Sequence, residues 1–210
     1  MLDDDRPILL ATNNAHKVEE IRALFETAGI AVESLSEAGV ELPEPVEDQP
    51  TFSGNAARKA RHYARGTGRL CLADDSGLIV DALEGAPGVH SARFAGVTGS
   101  RAEVDAANNR KLIEQLKPLP PNQRSARFVC VMALASDRGV LAEVTGSVKG
   151  HIVLEPRGHN GFGYDPHFVV DELGRTAAEL CPDQKNAISH RGRAARKMLA
   201  TLQAGLNPLP

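Results

Sequence analysis

Two adjacent carboxylates, Asp74 and Asp75, end a short apolar run, Leu70-Cys71-Leu72-Ala73. Runs of this kind enter the interior of an α/β sheet, where an ionised carboxylate is costly unless a cation or a set of donors holds it. The two acids also repel each other. A divalent metal relieves both problems, and Mg²⁺ prefers hard oxygen ligands. The order of residues therefore places negative charge where a cation carrying an anionic substrate makes sense of it. A cap or turn role suits one Asp after a strand; two in succession, followed by Ser76-Gly77, favour a metal or catalytic role. Ser76 can donate a hydrogen bond to a phosphate oxygen.

Four further clusters carry chemistry. Thr12-Asn13-Asn14-Ala15-His16-Lys17 stands between a strand and a helix. Free backbone N–H groups and the helix dipole make such a turn an anion site, and Lys17 adds a full positive charge. The glycines of a Walker A loop are missing, and an ordinary connection capped by Asn is the plain alternative. The acidic loop with Glu44 and Glu47 can supply a further metal ligand beside Asp75, and Arg58 and Lys59 on the next helix can face phosphates. In Gly161-Phe162-Gly163-Tyr164-Asp165-Pro166, the glycines permit close approach of a ligand and Phe162 offers a face for stacking a base. Lys185-Asn186-Ala187-Ile188-Ser189-His190-Arg191 presents many donors and few acceptors. Lys185 and Ser189 share a helix face at i and i+4, while Arg193, Arg196 and Lys197 read as the solvated side of that helix.

The elements that must position these groups follow from periodicity and turn signals. Pro7 to Ala11 reads as a buried strand. The helix after the turn carries Val18, Ile21, Leu24, Phe25 and Ala28, and Gly29 ends it. Ile30 to Leu35 is a second strand, and Ser36 to Pro50 an acidic, Pro-rich loop. A helix from Thr51 to Arg65 takes Thr51 or Ser53 as its cap. The Asp-Asp strand is followed by a separate strand, Leu78 to Leu83, and a Gly-Ala-Pro-Gly turn. Ser100 caps another helix with Val104, Ala107, Leu112 and Ile113 on its face. Arg127 to Ala135 is apolar on both faces and reads as a central strand. A turn at Asp137-Arg138-Gly139 leads into Val140 to Val153, one long bent strand or two. Pro166 to Val170 is a short strand. A final helix starts near Asp183 and runs past Met198 and Leu199. The pattern is mixed α/β, with no repeat and no dividing linker.

The bulk properties fit this reading. A chain of 210 residues with 42% hydrophobic and 4% aromatic residues builds one aliphatic-cored domain or one two-lobed unit. The net charge of −3 argues against a general nucleic-acid binder. Cys71, Cys130 and Cys181 are widely spaced and read as buried, reduced thiols. The acidic start Met1-Leu2-Asp3-Asp4-Asp5 is unlike a signal peptide, and no apolar run is long enough to span a membrane. The expectation is a cytoplasmic protein without a membrane or nucleic-acid partner.

Taken together, these motifs resemble the inosine triphosphate pyrophosphatase family, the XTP/dITP pyrophosphatases that remove non-standard purine nucleoside triphosphates. The resemblance runs from Ala11–Lys17 through Thr51-Phe52, Asn55-Ala56, Lys59-Ala60, Ala73–Leu78, Gly85–Gly88, Ser91–Arg93, Gly161–Pro166 and Ala178–Leu180 to Ile188–Arg191. It implies an α/β fold with a long mixed β-sheet flanked by helices, and two lobes with the active site in the cleft between them. All of residues 1–210 would form that single domain, usually as a homodimer. By the same resemblance, Thr12, Asn13, Asn14, Ala15, His16 and Lys17 form the triphosphate loop. Glu47 and Asp75 are Mg²⁺ ligands, Asp75 being also the proton acceptor. Lys59 and Ser76 are phosphate-side contacts. Phe162, Gly163, Tyr164 and Asp165 form the base strip, and Lys185, His190 and Arg191 recognise the purine. Asp74 becomes a supporting acid that orients Lys59 or the metal shell. Two departures stand out: Asn13 and His16 replace the usual loop glycines, and Gly54 stands where the family often has Glu.

The implied reaction is Mg²⁺-dependent hydrolysis of dITP, ITP or XTP to the monophosphate and pyrophosphate. A donor-rich base site matches the 6-oxo group of hypoxanthine and xanthine and repels the 6-amino group of adenine. Three rivals remain. A non-catalytic nucleotide sensor would not need Asp74, Asp75 and an acidic loop together. An enzyme for other modified nucleotides, such as methylated pyrimidines, fits less well with the Lys185–Arg191 donors. An RNA-binding module built on the last helix is disfavoured by the negative charge.

Overall fold

The computed structural model describes residues 6–205. The N-terminal stretch Met1 to Asp5, read above as no signal peptide, lies outside the described residues. Among the described residues no helix is long and apolar enough to cross a membrane.

Seven strands form one mixed sheet: β1 (Ile8–Leu10), β2 (Val32–Ser34), β3 (Cys71–Val80), β4 (Ser125–Ser136), β5 (Gly139–Ile152), β6 (Phe168–Val170) and β7 (Arg175–Thr176), in the order β2-β1-β3-β4-β5-β6-β7. β1 runs parallel to β2 and β3, with Leu9 opposite Cys71 and Leu10 opposite Leu72. β6 runs antiparallel to both β5 and β7. The helices are α1 (Ala15–Thr27), α2 (Phe52–Thr67), α3 (Arg101–Leu116), α4 (Pro182–Ile188) and α5 (His190–Gln203).

The chain divides into two compact units. Among the described residues, unit 1 comprises 6–75, 130–146 and 190–205; unit 2 comprises Ser76–Val129 and Ser147–Ser189. Each has its own apolar core. In unit 1, Val18, Ile21 and Phe25 of α1 meet Leu10, Leu72, Met132 and Leu134 of the sheet and Ala194, Ala195 and Met198 of α5. Their i, i+3, i+4 spacing puts one apolar stripe of each helix inward. In unit 2, Leu112 and Leu116 of α3 pack with Leu78, Val80, Phe128, Ile152, Tyr164, Phe168 and Val170. Gly146 lets α5 approach β5 closely, because a Cβ there would lie 2.2 Å from the His190 carbonyl oxygen and 2.4 Å from the Ala194 nitrogen.

Several boundaries agree with the turn chemistry. Asn14 caps α1 by accepting from the His16 N–H, Thr51 caps α2 by accepting from the Gly54 N–H, and Ser100 and Glu103 form a capping box on α3. Gly29, with φ of 72°, follows α1 as expected.

Three expectations change, and one left open is settled. The Asp-Asp strand and the strand after it are one, so Asp74 and Asp75 lie inside β3 rather than at its end. Gly77 does not break the run, because extended backbone is open to glycine as to any residue. β5 is a single strand. The last helix is two: Ser189 is extended (φ −64°, ψ 159°) between α4 and α5, so Lys185 and Ser189 do not share a continuous helix face. Cys181 is exposed beside α4, whereas Cys71 and Cys130 are buried.

Candidate active site

Successive residues of a strand point to opposite faces. This separates the two acids of β3 and gives each its own partners. Asp74 is met by Lys17 of α1, with Nζ 3.0 Å from Oδ2, and by Arg191 of α5, with Nε 3.4 Å from the same oxygen. Arg191 also pairs with Glu20 of α1. Asp74 is 1% exposed and Arg191 2%. Burial alone would push the Asp74 carboxyl up, but Lys17, Arg191 and Lys59 together outweigh it and hold it well below the usual carboxylate range. For Arg191, burial opposes the charge, and Asp74 and Glu20 more than restore it. The buried Cys130 thiol lies 3.8 Å from Asp74 Oδ2, and burial pushes it up, so it stays a neutral S–H. Asp74 therefore supports Lys17 and Arg191, while Lys59 pairs with Glu47.

Asp75 faces α2. Its Oδ2 accepts from Asn55 Nδ2 at 3.0 Å. Burial raises its carboxyl pKa and the charge of Glu47 adds to the rise; Lys59, the Asn55 hydrogen bond and Lys17 pull the other way and lose. Lys59, at 4% exposure, carries its charge because Asp74, Glu47 and Asp75 outweigh its burial. Asn55 and Lys59 are one helical turn apart on the buried stripe of α2, between Ala56, Ala60 and Ala64. Their small neighbours let the stripe sit close to the sheet.

Glu47 and Asp75 are hard carboxylate donors near enough to raise the Asp75 pKa, and a cation would reverse that rise. Among the described residues no group of three or more His, Cys, Asp or Glu side chains is arranged to hold a metal. Two carboxylates with the remaining positions left to water and phosphate is the set Mg²⁺ prefers. The donor set fits that ion.

The turn before α1 is partly self-satisfied. The Asn14 N–H donates to Thr12 Oγ1 at 3.2 Å, and the His16 N–H to Asn14 Oδ1 at 3.1 Å. Asn13, Ala15 and His16 are exposed, and Lys17 turns back to Asp74.

In unit 2, Gly161 (φ 77°) leaves room for Asp165, since a Cβ there would lie 2.1 Å from Asp165 Oδ2. That oxygen accepts from the Phe162 N–H at 3.0 Å and from Lys185 Nζ at 2.8 Å. Lys185 Nζ also lies 4.8 Å from the centroid of the half-buried Phe162 ring, and Arg101 Cζ 5.7 Å from it. α3 holds the next peptide from both ends: the Gly163 N–H donates to Asp105 Oδ2 at 3.0 Å, and Asn109 Nδ2 donates to the Gly163 carbonyl at 2.9 Å. Tyr164 is core rather than surface. Burial, then Asp105, raises its phenol, which donates to the Ser91 carbonyl at 2.8 Å.

Of the residues singled out in the sequence, Lys17, Glu47, Lys59, Asp75 and Arg191 come together in unit 1. Phe162, Gly163, Asp165 and Lys185 come together in unit 2. Ser76 follows Asp75 on β3 as the first residue of unit 2, and His190, buried, opens α5 in unit 1. Sequence reasoning gave no role to Glu20, Asn55, Asp105 or Asn109. Asn55 left a signal, a polar residue within an apolar helical stripe; the others lie on half-exposed faces where charge is ordinary.

A mixed sheet carrying a buried lysine–carboxylate cluster, a polar strand-to-helix turn and a glycine-flanked aromatic loop defines an α/β protein whose polar groups are gathered at the sheet. The comparisons sharpen that class: the Ham1 family model matches residues 8–201, and the chain belongs to the Ham1 family. It is 49% identical over 195 residues to a dITP/XTP pyrophosphatase of Exiguobacterium sibiricum, covering 93% of this chain and 96% of that one. It is 51% identical over 199 residues to the protein of the same name from Burkholderia pseudomallei, covering 93% and 92%. A HAM1 protein structure from Coxiella burnetii superposes with a TM-score of 0.82 at 42% identity, covering 95% of this chain and 99% of that one. A Mycobacterium abscessus structure, described as nucleoside-triphosphatase / dITP/XTP pyrophosphatase, gives 0.74 at 44% identity, covering 94% and 100%.

Proposed function

We propose that this chain, a nucleoside-triphosphate pyrophosphatase, hydrolyses dITP, ITP and XTP to the monophosphate and pyrophosphate with Mg²⁺. It thereby removes deaminated purine nucleotides from the cytoplasmic pool before they enter DNA or RNA. Residues 1–210 act as one catalytic domain in a homodimer. The observation that carries this reading is the buried carboxylate of Asp75, which accepts from Asn55 at 3.0 Å with the Lys59–Glu47 pair in its field. The names of the Exiguobacterium and Burkholderia relatives support the substrate class.

Glu47 and Asp75 would hold the metal. The chemistry Mg²⁺ would supply there is Lewis-acid activation of the α-phosphorus. Asp75 takes the proton from the attacking water. The new bond joins water oxygen to the α-phosphorus; the bond from that phosphorus to the bridging oxygen breaks, and pyrophosphate leaves with the electron pair. Lys59 and Lys17 stabilise the charge on the departing group, and the Thr12–Lys17 turn and Ser76 bind phosphate oxygens. Phe162 stacks on the base within the strip Phe162–Asp165. Lys185, His190 and Arg191 supply donors that match a 6-oxo purine and oppose the adenine amino group.

A panel of dITP, ITP, XTP, dATP, ATP and GTP with Mg²⁺ and pyrophosphate detection tests the reading. Rates with dITP, ITP and XTP are expected well above the rest, with no turnover after chelation. Comparable rates with ATP or GTP would refute the substrate assignment.

A further inference from the structure

We propose that Asn55 is a positioning residue that fixes Glu47 and Asp75 relative to each other, with Gly54 as the space that lets it do so. The inference rests on the reading of Glu47 and Asp75 as the Mg²⁺ ligands.

Asn55 is 0% exposed in the first turns of α2. Its Oδ1 accepts from the backbone N–H of Gln49 at 3.0 Å, and its Nδ2 donates to Asp75 Oδ2 at 3.0 Å. One side-chain amide therefore joins the acidic loop, two residues beyond Glu47, to the carboxylate of β3. The orientation of that amide is forced. A backbone N–H can only donate, so the atom facing Gln49 is the oxygen, and the atom facing Asp75 is the NH₂ group. Asp75 Oδ2 is thus held as an acceptor, which restricts the rotation of its carboxylate. A loop carrying Glu47 is ordinarily a mobile element; this bond gives it an address on α2.

Gly54 makes the approach possible. A Cβ at Gly54 would lie 2.8 Å from Gln49 Cβ and 3.2 Å from Gln49 Cγ. The nearer atom is at the root of the side chain, so relief requires Gln49 to move as a residue, and the Gln49 N–H to Asn55 bond moves with it. The φ of Gly54 is not positive, and the helix would accept alanine there. Its lack of a side chain serves the neighbouring loop instead.

The test compares wild type, Asn55→Asp and Gly54→Ala. Mn²⁺ is titrated by electron paramagnetic resonance in the presence of α,β-methylene ITP, alongside the Mg²⁺ dependence of pyrophosphate release and thermal unfolding. In Asn55→Asp one carboxylate oxygen still accepts from Gln49 while the other faces Asp75 Oδ2. Mn²⁺ affinity is expected to fall roughly 10–100-fold, the range typical when a group orienting metal ligands is lost. The kcat should fall and be restored in part by high Mg²⁺, with KM for nucleotide at saturating metal nearly unchanged. Gly54→Ala should weaken Mn²⁺ binding in the same direction while its unfolding temperature stays within a few degrees of wild type, since alanine's helix preference of roughly 1 kcal/mol offsets part of the cost of moving Gln49. A general loss of folding would lower stability and metal affinity together and cannot give that split. Both variants matching wild type in Mn²⁺ affinity would overturn the proposal while the functional reading stands. A wild-type protein that binds no Mn²⁺ and releases no pyrophosphate would overturn both.

Discussion

Asp74 and Asp75 are chain neighbours with opposite assignments, so their asparagine variants should diverge. Asp74→Asn removes the negative charge that Lys17 and Arg191 share inside unit 1, with Lys17 Nζ at 3.0 Å and Arg191 Nε at 3.4 Å. An amide oxygen can accept from one cation, but its NH₂ group then turns toward the other. Breaking a buried ion pair from one side costs roughly 3–5 kcal/mol. Arg191 keeps Glu20, which places this case at the lower end, about 3 kcal/mol. In a chain of this size about 1 kcal/mol moves Tm by roughly 2–4 °C, so Tm should fall by about 6–12 °C. Asp75→Asn should do the reverse. Burial already disfavours its charge, so a neutral amide leaves stability unchanged or higher, while loss of the proton acceptor lowers turnover by about 10²–10⁴-fold. The pH dependence carries the same signs. The depressed Asp74 carboxyl contributes stability that is fully present above the unfolded value of 3.8 and is lost as pH falls from there toward its folded value. The raised Asp75 carboxyl costs stability as pH rises from 3.8 through its folded value, so the gain from Asp75→Asn appears only above that interval. Urea unfolding followed by circular dichroism at neutral and acid pH, with pyrophosphate release measured in parallel, checks both. Equal destabilisation by the two variants, or an Asp74→Asn protein as stable as wild type, would refute the division of labour.

Two further outcomes follow from close contacts. Gly146→Ala should cost more than about 4 kcal/mol or prevent folding, because its Cβ would meet backbone atoms of α5 at 2.2 and 2.4 Å that cannot move singly; expression and thermal unfolding report it. Asp165→Asn should raise KM for dITP about tenfold or more, since it breaks the charge pair with Lys185 and loosens the turn that presents Phe162, an effect of about 1.4 kcal/mol or more at a charge-assisted bond. Steady-state kinetics with an unchanged KM would exclude that role.

Much of the sheet was legible because β1, β4 and β6 are apolar runs, whereas the two-residue β7, Arg175–Thr176, leaves no such mark, and the caps of α1, α2 and α3 lay where Asn14, Thr51 and Ser100 predicted. The errors have physical causes. Asp-Asp-Ser-Gly reads as the end of a strand because those residues favour turns, yet here cations on one face and an amide on the other support the acids within it. The break at Ser189 was hidden because Lys185 to Leu199 keeps helical composition across it; a backbone angle at one residue leaves no mark in periodicity. The site divides similarly. Asp75, Lys59 and Lys17 are unusual in type and place. Glu20, Asp105 and Asn109 sit on half-exposed helix faces, where only coordinates reveal what they hold.

The charge balance in unit 1 explains why the acids and lysines are found together. Lys17, Lys59 and Arg191 bring three positive charges against four carboxylates, Glu20, Glu47, Asp74 and Asp75. Arg191 joins Glu20 to Asp74, and Lys17 closes on Asp74 from the other side, so that part is nearly self-compensated. Glu47 pairs with Lys59, and Asp75 lies in the field of both. There burial, with Glu47 adding to it, raises the Asp75 carboxyl, and a triphosphate arriving alone would meet two carboxylates in a poorly screened interior. A divalent cation reverses the local excess and, on the reading proposed above, arrives with the nucleotide. Asn55 holds two like-charged groups close, which their own repulsion would otherwise prevent.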